Sequence, residues 1–147
     1  MGTPFTDIFD LAMITINDYR LNNLAQSDPA SFYTVLQGFM VRACADAQGT
    51  LVDLSYDTVS KTFNNDIPFY VQNIIANFLV YYWFNSLVND ITQVNLHLQG
   101  RDKKTFSSAQ NLKEKAVYVS NLYQRSHQMI TDYQNQNLTN IFTGLNG

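Results

Sequence analysis

Residues 64–84 read NNDIPFYVQNIIANFLVYYWF, and this stretch contains the longest apolar run of the chain. Its apolar side chains first recur at helical spacing on one face and then extend around the remaining faces. A helix that is apolar on every side is buried at the centre of a fold, because none of its faces is suited to water. We therefore predict a long central helix with Asp66 as its N-cap and Pro68 in its first turn. The helix should continue to about Leu98, before Gly100 ends it.

Two helices are predicted before this central one. Apolar side chains recur every three or four positions over residues 5–18, which predicts an amphipathic helix followed by a break at Asn22–Asn23. A second helix is predicted over residues 29–47, because a proline follows Ser27 and Asp28, either of which is able to cap the first turn. Each of these helices presents one apolar face for packing on the rest of the fold.

The rest of the chain divides into an irregular segment, a long helix and a tail. Apolar and polar side chains alternate only in part of residues 50–65, and the segment is rich in Val, Thr and Tyr. A short β-hairpin and an ordered loop are therefore equally acceptable interpretations. A last helix is predicted over residues 107–135. Beyond it we expect an extended tail with four large apolar side chains: Leu138, Ile141, Phe142 and Leu145. The predicted fold is all-α, with four helices in one domain over residues 1–135 and a tail over residues 136–147.

The composition favours a folded domain that associates with other molecules. Apolar residues make up 46% of the 147 residues, so enough surface is available for burial to offset the entropy of the chain. Charged residues make up only 14%, and a surface with few charges and many aromatic groups favours association. The opening MGTPFTDI lacks a basic region followed by an apolar run, so no secretory signal is predicted. We expect an intracellular or particle-borne protein.

Few residue patterns of the chain are typical of catalysis or metal binding. The single cysteine, Cys44, lies among apolar neighbours, which is typical of a buried and inert thiol. His97 and His127 are far apart in sequence and have no second ligand at metal spacing. Asp7 and Asp10 are one turn apart, and their position near a helix N-terminus explains them better than a metal or a shared proton does. We expect no catalytic residue, no metal site and no cofactor, and hence a protein that is not an enzyme.

Positive charge is concentrated in residues 100–115, which read GRDKKTFSSAQNLKEK. Five of the nine basic side chains lie in this stretch, and it carries a formal charge of +3 although the whole chain carries −3. The five are Arg101, Lys103, Lys104, Lys113 and Lys115. A solvated helix face is the simplest explanation of such a charge run. The alternatives are contact with an acidic protein surface and contact with DNA.

Three stretches together resemble small structural proteins of tailed bacteriophages. PFTDIFDLAMITINDY, at residues 4–19, resembles the FTDIY-type opening of those proteins. TFNNDIPFYVQNIIANFLVYYWF, at residues 62–84, resembles their F-N-x-D-L entry into a long apolar helix that carries a late tryptophan. RDKKTFSSAQNLKEK, at residues 101–115, resembles their D-x-D-F-K-x-x-S-x-A-x-x-L step into the last helix. In this order and spacing the three stretches are similar to the head–tail connector family of the phage neck, also called adaptor or head-completion proteins.

The resemblance implies an all-helical subunit that assembles as a ring, usually of twelve copies, under the portal protein at the capsid vertex. In this family the C-terminal segment binds around the portal, and the opposite face binds the next neck or tail protein. The ring surrounds the channel for the DNA. The four apolar side chains of the predicted tail are therefore candidates for portal binding. A protein of this kind lies in the neck of the virion after assembly in the bacterial cytoplasm, needs no cofactor and does not enter a membrane.

Two alternatives stay open at this point. The apolar tail is equally able to fold back onto its own subunit and bury its side chains there. A small helical regulator that binds nucleic acid or protein also fits the composition. Its binding to DNA is disfavoured by a sequence pI of about 5.1 and by the lack of a recognisable helix-turn-helix with basic residues that read bases.

Overall fold

The computed structural model describes residues 2–16, 19–98 and 105–145 of the chain. In these residues the fold is all-α apart from one small hairpin, as the sequence predicts, but it has five α-helices where four are predicted. The helices are α1 (Phe5–Thr15), α2 (Tyr19–Ser27), α3 (Pro29–Asp46), α4 (Phe69–Leu98) and α5 (Thr105–Leu145). A 3₁₀ helix (Ala47–Thr50) follows α3, and the strands β1 (Tyr56–Asp57) and β2 (Thr62–Phe63) form the hairpin. Among the described residues no helix combines the length and the apolar character that a membrane span requires.

α4 is the central helix of the fold, as its sequence predicts. It packs against α1, α3 and α5, and the buried side chains of its first half lie between Val71 and Val80. The large, fully buried ones are Val71, Ile74, Ile75, Phe78 and Leu79. The N-cap predicted at Asp66 and the first-turn position predicted for Pro68 are both wrong, because α4 begins only at Phe69. The carbonyl of Pro68 accepts the N–H of Gln72 at 3.0 Å, which closes the first turn.

The break predicted at Asn22–Asn23 is wrong, because both residues lie inside α2. Asparagine is less favourable than alanine in a helix by roughly 0.7 kcal/mol or less. Burial of Leu21, in a helix that packs against α3, contributes about 1.5–3 kcal/mol and outweighs that cost. The cap predicted for α3 is confirmed, since the Asp28 carboxylate accepts the N–H of Ser31 at 3.2 Å. α1 ends at Thr15, and the last two positions predicted for it lie outside the described residues.

Residues 50–65 contain a hairpin, which decides between the two interpretations of this segment. β1 and β2 pair in antiparallel fashion, and the residues before α1 lie along β2. The N–H of Phe63 donates to the carbonyl of Thr3 at 2.8 Å. A Cβ atom at Gly2 would lie 1.6 Å from the carbonyl oxygen of Phe63, so only glycine fits there. The buried ring of Phe63 meets that of Phe5 with 5.4 Å between centroids, which fixes the hairpin to α1.

α5 is longer than predicted. The prediction of an extended tail is wrong, because residues 136–145 are helical. The four apolar positions 138, 141, 142 and 145 are separated by three, one and three residues, which is the spacing of one helical face. The residues between them are two threonines, one asparagine and Gly144, which cost at most about 1 kcal/mol each in a helix, so a helix that is already formed continues through them. The backbone is therefore continuous across residue 135, where the sequence suggested an end to the helix.

Candidate interaction surface

α5 runs antiparallel to α4 and extends beyond the start of α4. The ring of Tyr70, in the first turn of α4, stacks on Tyr133 with 5.9 Å between centroids, and further along Phe84 meets Tyr118 at 5.6 Å. Since Tyr133 lies opposite the beginning of α4, the rest of α5 has no part of α4 beside it. Residues 134–145 therefore extend past α4 by about 18 Å, at 1.5 Å per residue. We call these residues the α5 end.

The buried face of α5 stops where the α5 end begins. Val119, Ser126 and Ile130 are buried in the packed part of the helix. By contrast, every side chain in residues 134–139 is exposed, and Leu138 is 51% exposed. A helix of about twelve residues is marginally stable in water by itself. The α5 end thus owes its helical form to propagation from the packed part of α5.

The 3₁₀ helix and the loop that follows it lie beside this part of α5. The side-chain amide of Gln134 donates to the carbonyl of Gly49, and a Cβ at Gly49 would lie only 3.0 Å from Cγ2 of Ile130. Glycine therefore lets the turn approach α5 closely. The next loop residue, Leu51, has a φ of 60° and a side chain that is 88% exposed. This left-handed conformation costs on the order of 1 kcal/mol, and the bond from the Leu51 N–H to the carbonyl of Gln48, at 3.0 Å, helps to hold it.

A groove lies between this loop and the start of the α5 end. Its volume is about 730 Å³, with residues 50–52 on one wall and Tyr133, Gln134, Asn137 and Leu138 on the other. None of the lining side chains is charged at neutral pH, and the leucines, the valine and the tyrosine ring make it mostly apolar. Such grooves accept an apolar helix or peptide from a partner. We call it the α5 groove.

Leu138 is the portal-binding candidate whose side chain the structure describes, and it lines the α5 groove. The backbone of Ile141, Phe142 and Leu145 lies in α5, but their side chains fall outside the described ones. The segment is thus a helix rather than an extended tail. Over residues 134–139 it contacts its own subunit only at the 3₁₀ helix and the loop that follows it, and every side chain there stays exposed.

The basic stretch is described only in part. Lys113 and Lys115 lie on α5 and are exposed. Two positions along a helix correspond to a rotation of about 200°, so these two side chains do not share a face. Arg101, Lys103 and Lys104 lie outside the described residues. A single basic face made by all five side chains therefore stays a prediction from the sequence.

The structure shows the surroundings of the described residues that were considered for catalysis or metal binding. Asp7 and Asp10 are exposed, and Asp7 lies in the first turn of α1, where the helix dipole favours negative charge. Cys44 is buried as predicted, and burial raises the pKa of its thiol to about 12. His127 packs edge-on against a tyrosine ring, with 4.4 Å between centroids, whereas the side chain of His97 lies outside the described ones. Within the described ranges no three His, Cys, Asp or Glu side chains come together to hold a metal ion.

A hydrogen-bonded pair that was not predicted joins α3 to α4. The hydroxyl of Tyr82 donates to the carboxylate of Asp46. Burial is the main cause that raises the pKa of Tyr82, and the neighbouring carboxylate raises it further. The sequence signal was an aspartate at the C-terminal end of a helix, where the helix dipole disfavours negative charge. The pair is a structural link, because the two polar groups satisfy each other.

Comparisons with protein-family models, with curated proteins and with solved structures found no match to this chain. Its function is therefore inferred from the chain itself. The feature of the structure that bears on it is the exposed α5 end beside its apolar groove, which is suited to holding another protein chain by burial of apolar surface.

Proposed function

We propose that this protein is a structural connector subunit of a tailed bacteriophage, which docks on the portal protein and receives the tail or the next neck protein. The observation that carries the proposal is the α5 end, a helix without charged side chains that extends beyond its own fold. The resemblance to the head–tail connector family supports the same conclusion. A connector needs neither catalytic residues nor a cofactor, because burial of surface is sufficient for its role.

Burial of the α5 end against the portal would supply the free energy of docking. Each large apolar side chain contributes about 1.5–3 kcal/mol when it is fully buried. Four such residues, at positions 138, 141, 142 and 145, exceed the ordering cost of about 0.5–1.5 kcal/mol per side chain. The segment is already helical, so its backbone requires little further ordering. No side chain after Asp132 is charged, so docking removes no charged side chain of this segment from water.

Assembly as a ring, with the twelve copies that the family implies, belongs to the same proposal. In such a ring the α5 ends gather on the side of the portal, and the opposite face meets the next neck or tail protein. The ring surrounds the channel for the DNA and lies in the neck of the virion. The subunit interface would draw on the uncharged, aromatic-rich surface that the composition predicts.

For the basic stretch we favour contact with an acidic protein surface over contact with DNA. Positive charges repeated around a channel would bind the phosphates of the passing DNA and slow its passage. The double substitution Lys103→Glu/Lys104→Glu should therefore impair assembly and leave DNA release from the particles that do assemble unchanged. Normal assembly with altered DNA release would assign the stretch to the channel instead.

Docking is tested with a chain that ends at Asn135 and with immobilised portal protein from the same phage. The shortened chain should stay helical by circular dichroism, because the removed segment contains no described buried side chain. Its binding to the portal should be lost. Gln136→Ala in the full-length chain changes an exposed polar residue and should bind as the unmodified chain does. Equal affinity of the shortened and full-length chains would show that docking uses another surface.

A small helical regulator that binds nucleic acid is the alternative function. The observation that favours it is the +3 charge of residues 100–115. If this function is correct, the isolated protein should bind duplex DNA, and the affinity should fall steeply as the salt concentration rises. Portal binding without such DNA binding would instead support the connector.

A further inference from the structure

The α5 groove is shaped for a helix. Its long wall comes from four residues of α5 that span about one and a half turns: Tyr133, Gln134, Asn137 and Leu138. The opposite wall presents Leu51, whose side chain is almost fully exposed and is held out by a left-handed backbone. A helix that fits such a groove carries apolar side chains at positions i, i+3, i+4 and i+7. It should also be uncharged, because the groove offers no charge as a partner.

The chain itself contains a helix with these properties. Positions 138, 141, 142 and 145 of the α5 end hold Leu, Ile, Phe and Leu at this spacing, and no side chain after Asp132 is charged. Two copies can therefore bring their α5 ends together without opposing like charges or burying a charged side chain. We propose that the α5 groove of one copy holds the α5 end of a second copy, and the reverse, in an antiparallel pair with a two-fold axis.

The positions of the groove and the apolar residues fix the register of this pair. In two antiparallel helices, residues near the end of one helix lie opposite residues further from the end of the other. When positions 138–145 of one copy lie against the groove wall at 133–138 of the other, Leu138 of both copies lies close to the two-fold axis. Each copy then covers the exposed Leu138 of its partner.

This pairing is a property of the free chain and does not depend on the proposed phage function. A contact of about three helical turns from each copy lies at the low end of protein interfaces in size, so pairing should be weak and concentration-dependent. A portal protein that binds the same α5 end would have to displace the second copy. The two contacts are therefore expected to compete, and either can fail without the other.

Sedimentation of the isolated chain over about a hundredfold range of concentration measures the pairing. The mass should rise with concentration from 16.8 kDa to twice that value. Leu138→Glu places a charge near the axis and should stay monomeric throughout. Gln136→Glu adds the same charge about 200° around α5 and should pair as the unmodified chain does. Both positions are exposed in the single subunit, so neither substitution should unfold it.

A cysteine cross-link tests the register. Leu138→Cys should form a disulfide between two copies when oxidised glutathione is added, which accepts the two electrons and becomes two molecules of glutathione. The bond requires Cα atoms within about 7 Å of each other, as expected for a residue close to the two-fold axis. Gln136→Cys should not form it, and Cys44 is buried and does not compete. A chain that stays monomeric, a larger oligomer without the cross-link at 138, or equal cross-linking at 136 and 138 would overturn the proposal.

Discussion

The two parts of α5 share one helical backbone and differ in what surrounds them. Between Val119 and Tyr133 the helix carries a buried stripe, whereas over residues 134–139 every side chain is exposed. The chain nevertheless continues the helix to Leu145 and continues to supply large apolar residues. The packed part of α5 thus stabilises the subunit, and the α5 end is the part that we propose binds a partner.

The largest difference between the two parts should appear when one apolar side chain is shortened in each. Ile130 is only 7% exposed, so Ile130→Ala should lower the free energy of unfolding by about 2–4 kcal/mol. Leu138→Ala should lower it by about 1 kcal/mol or less, because about half of the Leu138 side chain is exposed within the subunit. Urea denaturation followed by the fluorescence of the single tryptophan, Trp83, measures both. Similar losses would mean that the two parts are packed alike.

A smaller effect is expected at the link between α3 and α4. Tyr82→Phe removes the hydroxyl that donates to Asp46 and leaves the carboxylate without this partner. We expect the free energy of unfolding to fall by about 1–2 kcal/mol. Tyr118→Phe removes the same atom from a half-exposed ring and should change it by less than about 0.5 kcal/mol. Equal free energies of unfolding for the two variants would show that the Tyr82–Asp46 bond does not stabilise the fold.

Two glycines should give the smallest effects, and in opposite directions. Gly49→Ala adds a methyl group 3.0 Å from Cγ2 of the packed Ile130, so we expect a loss of about 1 kcal/mol in the free energy of unfolding. Gly144→Ala meets nothing within 4 Å, and alanine favours a helix over glycine by up to about 1 kcal/mol. It should therefore increase the helix content seen by circular dichroism without changing the urea midpoint. The reverse pattern would contradict the assignment of packed and exposed parts.

The features predicted correctly from the sequence are those that neighbouring residues determine. The central helix is visible because apolar residues cover all of its faces around Phe78, and such a helix is only stable when buried. The N-cap of α3 is visible because Asp28 directly precedes a proline and lies three residues before Ser31. The hairpin was one of two interpretations of residues 50–65, because apolar and polar side chains alternate there only in part.

Most of the features missed depend on contacts between residues that are distant in the sequence. α2 contains two asparagines, and the burial of Leu21 in the folded chain outweighs their cost. The Tyr82–Asp46 bond joins residues from two different helices. The helical spacing from Leu138 to Leu145 was present in the sequence, but the polar residues between them suggested an interruption. The groove beside it required the position of Leu51, which only the folded chain provides.

Whether the α5 end belongs to the core of its own subunit is measured most directly by urea unfolding of a chain that ends at Asn135. At a concentration too low for copies to pair, its free energy of unfolding should lie within about 1 kcal/mol of the full-length value, since Leu138 is half exposed. The reason is that the removed segment contains no described buried side chain. A loss of about 3 kcal/mol or more, as expected from the burial of two large apolar side chains, would place the segment in its own core and contradict the docking role that we propose for it.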